Sequence, residues 1–399
     1  MDDVIIAGGG ATGLCLALCL RHLSDGRVKI RLLGENTKAS RFGPRTSAVA
    51  EGPRRMLERL GVWDRLASRA QPIWSMEISE HRGSNRDQQP FLTFAHRPAR
   101  GPLAHMVFHR DLEPLLADCA EAAGVSFSSD RVVRVSAGDS RIAAEGESGE
   151  IYAARLMVSA DGANSATRRM AGIRTFGWSY DRTAIVATVA HQRPHDGRAT
   201  QCFYSGGPLA VLPVTGDRSS IVWTETTEAA QRLLALLPED FAVELESRLD
   251  GRLGNLRVAE AAASFPLSFQ LAESFVGLRL ALVGDAAHRV HPLAGQGLNL
   301  GLRDVATLAE LILDQVRLGL DPGAPELLAT YDRARRFDSV ATSTAFDLMH
   351  RLFGFQGSTA LAAKGLGLRI TDRSTSLKSF LTKEAAGSSG RVPELFTAP

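Results

Sequence analysis

Val4-Ile5-Ile6-Ala7-Gly8-Gly9-Gly10-Ala11-Thr12-Gly13 occupies residues 4–13 of the chain. It leads from an apolar run typical of a buried β-strand into Leu14–Leu23, an apolar run typical of a buried helix. The glycines match G-x-G-x-x-G: Gly8 permits a tight turn, Gly10 lets a pyrophosphate approach the backbone, and Gly13 lets helix and strand pack closely. The segment therefore predicts a dinucleotide-binding turn.

A second strand, predicted at Lys29–Leu33, completes a βαβ unit, which requires a parallel sheet. Glu35 follows this strand, at a position where a carboxylate can accept hydrogen bonds from an adenosine ribose. The motif by itself does not distinguish FAD from NAD.

The composition limits the classes of function. The 46 basic and 44 acidic residues leave a formal charge of +2, which argues against a dedicated nucleic-acid-binding protein. Hydrophobic residues make up 44% and charged residues 23%, as in soluble globular proteins, so disordered and fibrous classes are excluded. The four cysteines form no C-x-x-C pair, and no apolar run reaches the roughly 20 residues that cross a bilayer. We expect a reduced, cytoplasmic protein without a transmembrane helix.

Two later segments bear on the cofactor. Leu278–Val283 is predicted to be a buried strand that delivers Asp285 at its carboxyl end, where α/β sheets bind ligands. Residues 291–301, His-Pro-Leu-Ala-Gly-Gln-Gly-Leu-Asn-Leu-Gly, then form a loop that opens a long helix. Such a loop can bring backbone N–H groups against a planar, partly anionic ring. Asp161-Gly162 closes another predicted strand, although an ordinary strand-to-turn exit explains this pair equally well.

Together these motifs resemble those of the class A flavoprotein aromatic monooxygenases, which share the fold of para-hydroxybenzoate hydroxylase. Within that class the chain looks most like the ubiquinone-biosynthesis hydroxylases, the UbiH, UbiF and VisC group. The resemblance extends over nearly the whole chain, and the string at residues 291–301 is close to a family signature. Further segments that carry it are Arg45–Ala50, Leu60–Trp63, Arg110–Leu112, Gly207–Pro213 and Phe265–Leu267.

The resemblance implies an FAD site. By it, Glu35 binds the adenosine ribose, Asp285 holds the ribityl and pyrophosphate region, and residues 297–299 face the isoalloxazine ring. The complete set of residues expected to bind FAD is Gly8, Gly10, Gly13, Glu35, Arg45, Arg110, Val132, Asp161, Gly162, Asp285, Pro292, Gly295, Gly297, Leu298 and Asn299. We predict no metal site, and we assign no catalytic side chain or general base.

The resemblance also implies an activity. FAD, reduced by a transiently docked NADPH or NADH, reacts with O2 to a flavin C4a-hydroperoxide, which hydroxylates an activated phenolic ring. The implied substrate is a small aromatic compound that carries a polyprenyl chain, in ubiquinone biosynthesis. Two alternatives stay open: the same chemistry on a small soluble aromatic compound, and a non-catalytic FAD-binding scaffold subunit. Flavin-dependent halogenation is disfavoured because the chain lacks the motif Trp-x-Trp-x-Ile-Pro.

The predicted architecture is α/β: a Rossmann-like FAD-binding domain interleaved with an antiparallel β-sheet substrate domain, and a helical C-terminus. Short β-prone runs separated by turn residues between Thr183 and Thr226 predict the second sheet. The expected limits are residues 1–72, 100–177 and 266–335 for the FAD-binding domain, 73–99 and 178–265 for the substrate domain, and 336–399 for the C-terminal segment.

The C-terminal helix carries an apolar face. Its members, at i, i+3 and i+4 spacing, are Phe337, Val340, Ala341, Ala345, Leu348, Met349, Leu352 and Phe353. Packing on the core or on a second subunit explains this face. The alternative is peripheral contact with the inner face of a membrane, aided by Arg335, Arg336 and Arg351. A quinone-synthesis multi-enzyme assembly would be a further partner.

Overall fold

The computed structural model describes residues 1–34, 43–81, 90, 92–95, 101–289, 297–354 and 392–397, and of residues 341–354 it describes the helical backbone. The helices are α1 (Ala11–Leu23), α2 (Glu51–Arg59), α3 (Trp63–Leu66), α4 (His109–Ala122), α5 (Ala166–Met170), α6 (Thr227–Leu234), α7 (Pro238–Arg248), α8 (Gly297–Arg317) and α9 (Pro325–Gly354).

The strands fall into three sheets. They are β1 (Asp2–Ala7), β2 (Ile30–Leu33), β3 (Thr46–Ala50), β4 (Gln71–Ile73), β5 (Ser75–Glu80), β6 (Leu92–Ala95), β7 (Ala104–Phe108), β8 (Ser126–Ser128), β9 (Val132–Ala137), β10 (Ile142–Gly146), β11 (Ile151–Ser159), β12 (Thr175–His191), β13 (Arg198–Phe203), β14 (Pro208–Val214), β15 (Arg218–Thr226), β16 (Leu256–Ala272), β17 (Val276–Gly277), β18 (Leu280–Leu282) and β19 (His288–Arg289).

The first sheet confirms the predicted βαβ opening. Its strand order is β17-β18-β11-β1-β2-β8, and β18, β11, β1, β2 and β8 run parallel, with Val4 in register with both Ile30 and Leu156. Helix α1 is apolar on all sides because it is enclosed: it packs between α4 and α8, and Cys15 and Cys19 are fully buried. The apolar run that follows the glycine turn is thus a helix buried on all sides, and burial is typical of free cysteine.

The second sheet confirms the predicted antiparallel lobe. Its order is β19-β16-β12-β15-β14-β13-β5-β6, antiparallel throughout except for the parallel pair β13–β5. Helices α6 and α7 cover one face, where Trp223 packs against Phe241. The opposite face, which carries Val186 and Leu212, lines a large cavity.

The sequence analysis did not identify β16, a 17-residue strand. Phe265, Leu267, Phe269 and Leu271 alternate with the period of a strand, whereas residues 259–264, with four alanines, carry no such apolar pattern. The strand runs across residues 265 and 266, where the predicted domain limit falls, and the domain limits stay a prediction.

A third, small sheet links the other two. It has the order β3-β7-β4, and the hydroxyl of Thr46 on β3 donates a hydrogen bond of 2.9 Å to Ser220 on β15. Ala48 and Phe108 from this sheet share a buried apolar cluster with Leu212 of the second sheet. Val49 and Val107 of the same sheet belong to the apolar core of the first sheet, so the small sheet packs against both of the larger ones.

A buried ion pair joins α8 to α9. Arg335 donates through Nε to Asp304 Oδ1 at 2.8 Å, and the other carboxylate oxygen accepts a bond of 2.9 Å from the Gly284 amide and lies 2.6 Å from His288 Nε2. Arg335 also binds Asp338 at 2.8 Å. Burial by itself raises the pKa of Asp304, but His288 and Arg335 outweigh it and hold that pKa below its usual value. This stability is present above the ordinary carboxyl pKa and is lost as the pH falls through the lowered one.

This ion pair contradicts one expectation. Arg335 was expected to aid contact with a membrane, but its side chain is buried against Asp304 and faces the protein interior. The neighbouring Arg336 is about half exposed, and Phe337 is 77% exposed. Across the part of the chain that the structure describes, no helix is both long and apolar enough to span a bilayer.

Replacing Asp304 by Asn tests this ion pair. The substitution leaves the buried Arg335 without its counter-ion, so we expect the free energy of unfolding to fall by about 3–5 kcal/mol, measured by urea denaturation. The matched control is Asp314→Asn on the same helix, whose ion pair with Arg317 is 3.4 Å long and exposed, and which should cost less than about 1 kcal/mol. Equal losses in the two variants would contradict the assignment.

Candidate functional site

A cavity of about 630 Å³ lies where the three sheets meet. The first sheet contributes the loops at the carboxyl ends of β1, β11 and β18, as expected for ligand binding in an open α/β sheet. Those loops supply Gly10–Thr12, Ala160–Asn164, Val283 and Asp285. The other walls are Arg45–Ser47 with His109 and Glu113, the second-sheet residues Ala184, Val186, Leu212, Val222, Phe265–Ser268 and Arg289, and Gly297 and Leu298.

The glycine turn permits a very close approach of backbones. Gly8 has φ +117°, and a Cβ added to it would lie 2.2 Å from the carbonyl oxygen of Ala160. A Cβ on Gly13 would lie 2.1 Å from the carbonyl oxygen of Gly8. Both glycines are therefore required by packing alone.

Gly10 has a different environment. It is the N-cap of α1 in an extended conformation, no side chain caps the helix there, and a Cβ added to Gly10 would meet no protein atom within 4 Å. The space beside Gly10 is part of the cavity. A helix N-terminus that opens onto a cavity favours an anion such as a pyrophosphate.

A second close approach places Asp285 in the cavity. Gly284 has φ +61°, and a Cβ on it would lie 3.1 Å from the side chain of Thr12. A Cβ on Gly301 of α8 would lie 3.1 Å from the Cα of Gly284. The turn after β18 is thus held between α1 and α8, and Asp285 lines the cavity with its side chain exposed.

Asn299 fixes the start of α8. Its Nδ2 donates to the carbonyl of Ala48 at 2.7 Å, and its Oδ1 accepts from the amide of Ala50 at 3.0 Å. These bonds turn the side chain toward β3 and leave Gly297 and Leu298 on the cavity wall. The side chain of Asn299 thus holds the backbone that lines the site, and the expectation that Asn299 faces the flavin stays a prediction.

Asp161 and Gly162 also line the cavity. The Asp161 carboxylate accepts bonds from the Ser159 hydroxyl at 2.6 Å and from the Thr167 amide at 3.1 Å, and Gly162 has φ +82°. The pair is therefore a hydrogen-bonded strand exit that also faces the ligand space, so the two interpretations of the sequence are compatible.

The remaining predicted residues divide into three groups. Arg45 lines the cavity. Arg110 is ion-paired with Glu260 of β16, and its guanidinium lies 3.9 Å from the ring centroid of Phe108. Neither Arg110 nor the buried Val132 lines the cavity. Glu35, Pro292 and Gly295 lie outside the described residues. The roles of all the predicted site residues stay predictions.

The sequence analysis missed one group on the cavity wall. Ser47 Oγ lies 2.9 Å from His109 Nε2, and His109 Nδ1 lies 2.8 Å from Glu113 Oε1. The side chains of His109 and Glu113 are less than 10% exposed, and all three residues line the cavity. The i, i+4 spacing of His109 and Glu113 on α4 was the available signal.

Comparisons with known proteins agree with this site. A model of an FAD-binding-domain family matches residues 1–344. The chain is 40% identical to the ubiquinone hydroxylase UbiL of Rhodospirillum rubrum, over 98% of this chain and 91% of that protein. It is 29% identical to the ubiquinone hydroxylase UbiM of Neisseria meningitidis, over 97% of this chain and 85% of that protein.

A solved structure supports the fold. The p-nitrophenol 4-monooxygenase PnpA of Pseudomonas putida superposes with a TM-score of 0.79 at 18% identity, over 98% of this chain and 99% of that one. The residues of the cavity fit the FAD that the family binds: Gly10 beside open space, a helix N-terminus without a side-chain cap, and the exposed Asp285.

Gly10→Ala separates binding from folding. Because the new methyl group meets no protein atom, we expect the protein to fold normally, but the group enters the space of the pyrophosphate and should weaken FAD binding about tenfold, or about 1.4 kcal/mol. Bound-flavin absorbance and fluorescence titration of the apoprotein measure this. Gly138→Ala is the control, since its methyl group meets only the Arg141 carbonyl, at 3.7 Å, in an exposed turn. Equal FAD affinity in the two variants would overturn the placement of the pyrophosphate.

Proposed function

Since the chain belongs to the FAD-binding-domain family and, within it, to the ubiquinone-hydroxylase group of FAD-dependent monooxygenases, we propose that it hydroxylates the aromatic ring of a polyprenylated phenol in ubiquinone biosynthesis, with NADPH or NADH and O2. The observation that carries the proposal is the 40% identity to UbiL over nearly the whole of both chains. That relative is named a ubiquinone hydroxylase, and the cavity has a wall suited to such a substrate.

The wall formed by the second sheet is apolar. Ala184, Val186, Leu212 and Val222 point into the cavity from three adjacent strands, and Phe265 and Leu267 continue the surface along β16. An apolar aromatic ring with a hydrocarbon chain gains free energy from such a wall, at about 25 cal/mol per Å² of apolar surface removed from water. A charged substrate would lose hydration there without a partner.

Apart from Ser268 and Arg289, the polar groups that line the cavity lie opposite the second sheet. When bound, FAD supplies the electron transfer and oxygen chemistry. The chain's residues then have three tasks: the turn at Gly10 holds the pyrophosphate, the start of α8 presents backbone N–H groups to the ring, and the apolar wall excludes water from the reacting atoms. The division of the cavity into a polar and an apolar wall orients the two bound molecules toward each other.

One observation favours a second candidate. Arg289 and Arg45 both line the cavity, and a guanidinium can bind a carboxylate through two parallel hydrogen bonds. A small aromatic acid would exploit this, so hydroxylation of a soluble aromatic compound is the alternative that the substrate test must distinguish.

The substrate test compares two compounds. We expect NAD(P)H oxidation by the FAD-loaded enzyme to be stimulated by a short-chain prenyl phenol, with one oxygen atom from labelled O2 appearing in the product by mass spectrometry. Stimulation by a soluble aromatic acid instead would favour the second candidate. The absence of stimulation by either compound would favour a non-catalytic scaffold. Complementation of strains that each lack one ring hydroxylase then identifies the ring position.

A variant of the apolar wall tests where the substrate binds. Val186→Asp places a carboxylate on the cavity surface at a position outside the buried apolar clusters of the described residues, so we expect kcat/KM for the prenyl phenol to fall by about tenfold or more while FAD stays bound. Val243→Asp, which is 64% exposed on α7, is the control and should retain activity. Unchanged turnover in the Val186 variant would place the substrate elsewhere.

We further propose that the enzyme acts in the cytoplasm at the inner face of a membrane, where a polyprenylated substrate resides. Phe337 and Val340 of α9 are 77% and 41% exposed, and the half-exposed Arg336 lies beside them. An exposed aromatic side chain next to a cation suits the interface of an anionic bilayer.

Sedimentation with anionic vesicles tests this contact. We expect the intact protein to sediment with the vesicles and Phe337→Asp to sediment several-fold less, because burial of the ring is lost and a repelled charge is added. Leu318→Asp, which is 72% exposed at the end of α8, serves as the matched control. If the intact protein stays in the supernatant, the membrane contact is excluded.

A further inference from the structure

Ser47, His109 and Glu113 form one continuous hydrogen-bonded chain. The imidazole of His109 is between the other two, with Nε2 2.9 Å from the Ser47 hydroxyl and Nδ1 2.8 Å from the Glu113 carboxylate. The three residues come from two elements, β3 and α4, that pack against each other through the small sheet. His109 is 5%, Glu113 6% and Ser47 7% exposed, so water screens these contacts little.

The chain ends at the cofactor cavity. Ser47 lines it next to Arg45 and Thr46, and the same strand is tied to the start of α8 by the two bonds of Asn299. The hydroxyl is therefore on the wall that also carries Gly297 and Leu298, the residues expected to face the isoalloxazine ring. The Ser47 hydroxyl thus contacts the buried imidazole of His109, and Ser47 also lines the cavity.

The two hydrogen bonds determine which nitrogen of the imidazole donates and which accepts. An ionised carboxylate only accepts, so His109 Nδ1 carries a hydrogen and donates it to Glu113. His109 Nε2 then accepts from the Ser47 hydroxyl when the ring is neutral, and donates to it when the ring is charged. The carboxylate stabilises the charged ring, which is how an acidic residue assists a histidine that exchanges protons.

We propose that Ser47, His109 and Glu113 form a proton relay that balances changes of charge on the bound flavin. The proposal depends on FAD binding and is independent of the substrate. When the flavin site gains negative charge, Ser47 passes its hydroxyl proton to His109 Nε2 and regains one from solvent that enters the cavity, and the imidazole becomes an imidazolium paired with Glu113. When a proton is needed in the cavity, Ser47 gives its hydroxyl proton to the acceptor and regains one from His109 Nε2, which returns the imidazole to its neutral form.

Within the described part of the chain, few other ionisable groups lie close to the imidazole of His109. On its own helix, Glu113 is the charged side chain bonded to the imidazole, while Arg110 pairs with Glu260 and Asp111 with Arg69. From α1, Cys15 lies near Glu113, and burial, then Cys19 and Glu113, raise the pKa of the Cys15 thiol, so it stays neutral. From the segment before β3, the carbonyl of Arg45 accepts the backbone amide of His109 at 3.1 Å, and its side chain lines the cavity. Glu113, the anion bonded to the imidazole, lines the cavity together with His109 and Ser47, and the other carboxylates on its wall are Asp161 and Asp285.

Proton uptake during anaerobic reduction of the FAD-loaded enzyme tests the relay. An indicator dye measures the protons taken up per two electrons from dithionite, from about pH 6 to about pH 9. We expect His109→Asn to take up fewer protons than the unmodified enzyme, by up to one, over part of this range. We expect Ser47→Ala to slow the uptake about tenfold or more in stopped flow, with the final number unchanged.

The chain contains a matched control. Ser219 Oγ lies 3.0 Å from His191 Nε2, both residues are buried, and neither lines the cavity. Ser219→Ala removes the same kind of hydrogen bond. It should leave both the number of protons taken up and the rate of their uptake unchanged. If His109→Asn matches the unmodified enzyme in proton number, or Ser47→Ala matches Ser219→Ala in rate, the relay is excluded.

A more conservative variant tests the relay if His109→Asn or Ser47→Ala fails to fold. Glu113→Gln keeps the shape of the side chain and removes the charge, so we expect the pH at which the additional proton is taken up to shift downward, with flavin still bound. An unshifted profile in this variant contradicts the proposal. Bound-flavin absorbance is recorded first for every variant, so that loss of the cofactor is distinguished from loss of the relay, and no substrate enters the measurement.

Discussion

The absence of a Cβ at Gly8 and Gly13 lets β1, α1 and β11 meet at a separation that no other residue allows. A Cβ at either position would lie about 2 Å from a carbonyl oxygen, so any other side chain would force the elements apart. This contact sets the position of the α1 N-terminus relative to the carboxyl ends of the parallel strands. The cavity, the placement of Asp285 and the distance to the second sheet all depend on it.

A second constraint holds the opposite side of the site. Asp304 binds the Gly284 amide, His288 and Arg335 at once, so the turn after β18 is tied to both α8 and α9. The two constraints meet at Thr12, whose side chain would touch a Cβ at either Gly284 or Gly301. Steric limits therefore fix the backbone on one side of the cavity, and a buried charge network fixes it on the other. Such a frame needs little rearrangement when a dinucleotide binds.

The elements that could be predicted from the sequence are those whose backbone conformation is specified by local residue types. The glycine turn, the parallel strands and the antiparallel lobe follow from residue types at fixed spacing, and the structure has them in that order. Side-chain partners were a different problem, since they join residues that are distant in sequence. Arg110 pairs with Glu260, and Asn299 binds the backbone at Ala48, and no local pattern predicts either contact. Strand β16 was missed although Phe265, Leu267, Phe269 and Leu271 alternate as in a strand, because its alanine-rich first half, which also pairs with β12, has no such pattern.

The same distinction explains why the polar wall of the cavity was only partly foreseen. Glycines and the acidic residue at a strand end are recognisable because a dinucleotide requires them, the glycines for its pyrophosphate and the carboxylate for a ribose hydroxyl. Ser47, His109 and Glu113, by contrast, become hydrogen-bonded neighbours only when β3 and α4 come together. Once they do, a neutral or charged imidazole lies on one side of the cavity and the apolar side chains of β12, β14 and β15 on the other. A low-dielectric wall strengthens the field of the charged group across the cavity. A change of charge on a ligand between the two walls therefore acts on the ionisable groups that line the cavity, and the imidazole of His109 is one of them.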